Sequence, residues 1–214
     1  MPVRSKEELI DRLSKISKAR RRELITLDQL IGSWRKHERE IACQSAIVFS
    51  YAHWEGFVKE AAVSYIEYVA FKSPLLGKLT ANFQAIVCRS YLIKATQASK
   101  RIAPHLEVVY QLTDCLMSQA KINPKTAIDT ESNLNSQVLE NICHTVGIDY
   151  AARWSRYGPF IDDLVENRCA IAHGEFRRLD EKYAREALRF TLDAIAWFRT
   201  DIENAVLMDA YLRK

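Results

Sequence analysis

Backbone breakers are in short supply in this chain: six glycines and five prolines among 214 residues. That argues against a fold built from many tight turns. With abundant Ala, Leu, Ile, Glu, Lys and Arg, it points to long helices. The five cysteines, at 43, 88, 115, 143 and 169, form no C-x-x-C pair and are odd in number. A zinc site and a disulfide framework are thereby disfavoured, and reduced thiols in a cytoplasmic protein are the simple expectation. The N-terminal "MPVRSKEELIDRLSK" has no apolar h-region of a secretory signal. The most apolar stretch, 41–71, is interrupted by Glu55, Lys59, Glu60 and Glu67, so no membrane span is expected. Metal-ligand spacings, internal repeats and low-complexity segments are missing too, and no boundary divides the chain. The expectation is one helical domain over 1–214 that needs no cofactor and no metal.

What is present fits a packed protein. Apolar residues make up 48% and charged residues 27%, which excludes disorder. The net charge is +4, and its positive excess lies at the start. Residues 1–22 carry eight Lys or Arg against three acids, a net +5. A solvated helix face is the plainer explanation, and contact with a phosphate backbone is the other.

Periodicity predicts an amphipathic helix over 6–37, with Ser5 and Glu8 as a capping box. A longer helix follows over 38–72, carrying Ile47, Tyr51, Trp54, Val58, Ala61, Tyr65 and Tyr68 on one stripe, and Ser73-Pro74 stops it. The middle, 75–129, is expected to be helical, although the run between Pro104 and Pro124 also suits a strand. A compact helix is expected near 134–146, with Gly147 as its cap. Pro159 and Gly174 bound a helix over 159–173, with Asp162 and Asp163 near its start, and a last helix spans 180–209 from an Asp180 cap.

Chemistry concentrates in 166–175, "ENRCAIAHGE". The apolar ladder Ile161, Val165, Arg168, Ala172 steps by four, three and four, which places Arg168 on the core-facing stripe. A buried guanidinium needs a partner or an anion. His173 falls in the last turn, where the helix dipole favours positive charge. Arginine suits bidentate phosphate binding and histidine suits proton transfer. Glu55 is a candidate partner orienting Arg168, and His53 is a weaker site candidate. Tyr51, Trp54, Tyr65 and Tyr68 are expected in the core, as is Cys169.

The segment "ENRCAIAHGE" resembles the R-x4–6-H signature of the HEPN superfamily of helical ribonucleases. The stretches 47–69, "IVFSYAHWEGFVKEAAVSYIEYV", and 129–149, "DTESNLNSQVLENICHTVGID", resemble segments of the MAE-type HEPN-like nucleases. The resemblance implies an all-α, HEPN-like helical bundle and metal-independent RNA cleavage by 2′-hydroxyl attack. It also implies a homodimer with the motif at the interface, and roles in toxin–antitoxin or phage-defence systems with a possible cognate antitoxin. Arg168 and His173 match the catalytic pair. Asn167 precedes the arginine, whereas many members carry the polar residue just after it, where this chain has Cys169. The alternative is a catalytically silent HEPN-like module that binds RNA or a partner.

Overall fold

The computed structural model describes residues 3–35, 38–98, 100–175, 177 and 179–214. Among them the regular structure is helical, with only two isolated β-bridges, Leu75 to Gln119 and Leu79 to Leu212. The helices are α1 (Lys6–Ile31), α2 (Arg39–Lys72), α3 (Ala81–Ala98), α4 (Ala103–Thr113), α5 (Pro124–Ala127), α6 (Ser136–Val146), α7 (Tyr150–Arg153), α8 (Gly158–Ala172) and α9 (Glu181–Leu207), with short 3₁₀ turns over 76–78, 114–117 and 154–157.

The 34-residue α2 is the axis of the molecule. Its apolar residues lie all round rather than on one face, as expected of a helix covered on several sides. It packs against α1, α8 and α9, and Tyr51, Trp54, Phe57, Val58, Tyr65 and Ile66 are each at most 1% exposed. Trp54 stacks on Trp154 at 5.4 Å between centroids and meets Phe198 edge-on at 6.2 Å. Trp154 Nε1 donates to Asp201 Oδ2 at 3.2 Å, which satisfies the one polar atom of that ring.

Several boundaries differ from the sequence reading for identifiable reasons. Helix α1 stops at Ile31, where Gly32 caps it and Ser33 N–H returns to Leu30 O. Lys36 and His37, at the end of the expected 6–37 helix, lie outside the described residues. Ser5 Oγ does accept from Glu8 N–H, but the Glu8 carboxylate accepts from Arg4 N–H at 2.7 Å, so the box closes one residue early. Ser73 ends α2 in the left-handed region at φ 44°. The run after Pro104 is helical, with the proline in the first turn of α4. No residue of α4 is buried; Leu106, Val109, Tyr110 and Leu112 are roughly half exposed, and α4 packs chiefly on α3 and the 114–117 turn. Three of the eight basic residues of the N-terminal segment make tertiary ion pairs: Lys6 with Asp209, Arg12 with Glu67 and Arg20 with Glu60. Among the described residues no helix is long and apolar enough to cross a membrane.

Candidate active site

Helix α8 carries the "ENRCAIAHGE" arginine and ends on its histidine. Pro159 sits in the first turn, as its missing N–H and fixed φ favour. At the other end Gly174 takes φ 75°. Gly174 N–H reaches Ile171 O at 3.0 Å and Glu175 N–H reaches Ala170 O at 2.9 Å, the two bonds of a Schellman cap. An Arg177–Glu166 ion pair at 2.8 Å folds the following segment back on the helix. His173 is therefore held at a fixed helix end, with its ring exposed.

The buried side of α8 is not the ladder expected from the sequence. Gly158, Ile161, Leu164, Asn167 and Ala170 face inward, a three-residue register throughout. Val165 and Arg168 are half-buried and Ala172 is exposed. A three-residue step falls about 60° short of a full turn on a helix of 3.6 residues per turn, so the stripe winds around α8 instead of following a fixed face. That winding puts Asn167, 5% exposed, on the stripe and moves Arg168 to its flank.

On that flank Arg168 is engaged from three directions. Its guanidinium lies over the Tyr51 ring, 4.6 Å from the centroid. Nη1 donates to Asn133 Oδ1 at 2.9 Å and lies 3.7 Å from Cys169 Sγ. The Cys169 thiol also donates to Asn133 Oδ1, at 3.5 Å. An arginine presents five N–H donors, and the hydrogen bonds found use Nη1 alone. The remaining donors can take a phosphate oxygen pair.

Tyr51 ties this cluster to the core. It is 1% exposed, and its hydroxyl accepts from Leu134 N–H at 2.7 Å. Burial pushes the phenol up to about 12; the nearby Glu55 carboxylate adds to the rise, while the Leu134 amide and Arg168 oppose it. The ring thus stays neutral and presents its π-face to the guanidinium. Glu55 makes no ion pair with Arg168 among the described residues; it lies near Tyr51, whose phenol its negative charge helps to raise. Asn167 faces away, its Nδ2 donating to Tyr183 Oη at 3.0 Å, and Tyr183 in turn donates to Asp163. Burial first, and Asp163 next, hold the Tyr183 phenol protonated well above its usual range. Asp162 accepts from both Ser136 N–H and Oγ at 2.7 Å. The two first-half acids of α8 thus serve tertiary bonds and not only the helix dipole.

His53 is 9% exposed and lies across α2, 3.1 Å from Glu23 Oε2 but off the hydrogen-bonding direction. The structure does not join it to the Arg168 cluster. Asn133 and Tyr51 were not foreseen as neighbours of Arg168. The 129–149 likeness contained Asn133, but only the fold shows which of its polar residues meets α8. Among the described residues no set of three His, Cys, Asp or Glu is placed to hold a metal.

A family model described as RiboL-PSP-HEPN matches residues 7–204. The chain belongs to the HEPN family. The match runs from the first turn of α1 to the last turns of α9 and includes the whole Arg168–His173 segment. It carries family membership, while the narrower MAE-type likeness rests on the two upstream segments alone. No curated protein and no solved structure matches this HEPN chain.

Proposed function

We propose that this HEPN protein is a metal-independent endoribonuclease, with Arg168 as the phosphate-binding group and His173 as the proton-transfer group. The observation that carries this reading is the state of Arg168. It is half-buried, oriented by Asn133 and Tyr51, and retains donors, on the same helix that ends on an exposed histidine. In the reaction the RNA 2′-hydroxyl loses its proton to a base and attacks the adjacent phosphorus. The P–O5′ bond breaks, and an acid protonates the departing 5′-oxygen. The products are a 2′,3′-cyclic phosphate and a 5′-hydroxyl. Arg168 neutralises charge on the non-bridging oxygens, where preorganised donors contribute most.

A single histidine cannot be base and acid in the same step. Two copies facing each other across a two-fold axis supply both, so the active form is a homodimer with the two motifs at its interface. A toxin or phage-defence role in the cytoplasm, held in check by a cognate antitoxin, is the biological setting that fits a nuclease of this family.

A second reading has its own support. Arg168 is already bonded to Asn133 and Cys169, as a structural arginine in a silent RNA- or partner-binding module would be. Cleavage of single-stranded RNA in EDTA, with analysis of product ends, separates the two. The nuclease leaves cyclic phosphates, and His173→Ala slows it about 10²–10⁴-fold, the usual weight of general acid–base catalysis. Its melting temperature stays level, because the ring is exposed. RNA binding without cleavage by the wild type would establish the silent module instead.

A further inference from the structure

Helix α4 turns its apolar side outward. Its least exposed residues, Pro104, Val108 and Gln111, are only half-buried, where it packs on α3 and the 114–117 turn. Ile102, just before the helix, and Leu106, Val109 and Tyr110 within it are each more than half exposed. Their spacing of i, i+4, i+7 and i+8 confines them to an arc of about 100° on a helix of 3.6 residues per turn. Leu112 and Met117 add exposed apolar surface at the end of the same arm. A stripe of this width normally faces a core, and left in water it marks a surface that something covers.

The arm that carries the stripe has charge of one sign. Residues 81–127 hold six Lys or Arg against Glu107 and Asp114, a net +4. Arg89, Lys94, Lys100, Arg101, Lys121 and Lys125 are all exposed, and none makes an ion pair among the described residues. The contrast is with Lys6, Arg12 and Arg20 of α1, which are matched to acids of the same fold. Lys100 and Arg101 directly precede α4, so positive charge sits at one end of the stripe.

The two properties together select the occupant. A second copy would bring an equal positive charge against this face, so self-pairing through it is opposed. A helix that lies on an anionic membrane carries Lys and Arg on its own polar face, whereas α4 has neither; Glu107 is the one Asp, Glu, Lys or Arg in it. Single-stranded RNA is held by cations interleaved with aromatic platforms, and three of the four stripe residues are aliphatic. A protein segment with an apolar face and acidic flanks meets both the stripe and the cations. We propose that the α4 stripe docks an acidic amphipathic helix of another protein. Its apolar residues, at three- and four-residue steps, cover Ile102, Leu106, Val109 and Tyr110, and its carboxylates face Lys100, Arg101 and the cations of α3. The surface shares no residue with the Arg168 and His173 site, and the proposal stands whether or not the chain cleaves RNA.

The probe is a synthetic helical peptide with leucines at three- and four-residue steps and glutamates on its other face. Its control keeps the leucines and replaces every glutamate by lysine. By fluorescence anisotropy the full chain is expected to bind the acidic peptide in the micromolar range, and the control about tenfold more weakly or worse. Leu106→Gln with Val109→Gln removes apolar anchors and should weaken the acidic peptide on the order of 30-fold. Lys100→Glu with Arg101→Glu should weaken it about tenfold, and acids at a helix start suit its dipole, so α4 is retained. Circular dichroism should be unchanged in both variants, since all four residues are exposed. Amide exchange in 103–113 should slow when the acidic peptide is bound, with α6 to α9 unaffected. The proposal is overturned if the acidic peptide fails to bind, if the control binds equally well, or if the glutamine variant binds like the wild type. It is also overturned if the glutamine variant loses binding to phosphatidylcholine–phosphatidylserine vesicles, which would assign the stripe to a membrane. The same loss toward a single-stranded RNA oligonucleotide would assign it to RNA.

Discussion

Arg168 shows how a charge is made usable without being left free. The Tyr51 face and the Asn133 carbonyl oxygen fix its plane, and no hydrogen bond of its Nε or Nη2 is found among the described residues. Asn133→Ala should loosen that plane. The expected loss of stability is about 1 kcal/mol, for one hydrogen bond to a charged group that is only half-buried. Cleavage should fall about tenfold, the change that corresponds to 1.4 kcal/mol of transition-state stabilisation. Urea unfolding and initial rates on RNA would measure the two, and unchanged rates would remove Asn133 from the site. His53 makes a pH-dependent contribution. Burial holds its pKa below the ordinary value, with Arg20 in the same direction and Glu23 opposing. The unfolded chain therefore binds the proton more readily, and stability present above pH ~6.5 is lost as the pH falls below it. The urea midpoint should drop between pH 7.5 and 5.5, and drop less in His53→Gln.

At the scale of elements, the end of α8 is the part most dependent on a single residue. A Cβ on Gly174 would meet no atom within 4 Å, so the cost of Gly174→Ala is purely that of its φ of 75°. A left-handed backbone costs a non-glycine residue about 1 kcal/mol. The variant should melt earlier by a few degrees, about 2–4 °C per kcal/mol at this chain length, and should cleave less because His173 loses its fixed position. Full activity would show that the cap does not position the histidine. This end was legible in the sequence, because Gly174 has a direct conformational signature. So were Asp180 and Gly147 as caps, and their backbones are as expected. The buried face of α8 was not legible. Its three-residue register resembles a four-three-four ladder until the neighbouring helices select Asn167 over Arg168. Nor was the Asn133–Arg168 contact, which joins residues 35 apart through a loop with no periodicity.

For the whole molecule, α2 and α9 form the stable spine, and α4 stands apart from it. With no buried residue and contacts mainly to α3, α4 contributes little to the shared core. Segments of that kind open at a small fraction of the global unfolding free energy. Amide hydrogen exchange should accordingly be fastest by orders of magnitude in 103–113 among the longer helices. In α2 around Trp54 exchange should occur only through global unfolding. Limited proteolysis should nick α4 first and leave the α1–α2 and α6–α9 portions associated. In this way the chain tolerates local melting of one arm while the spine that orders Tyr51, and through it Arg168, remains folded.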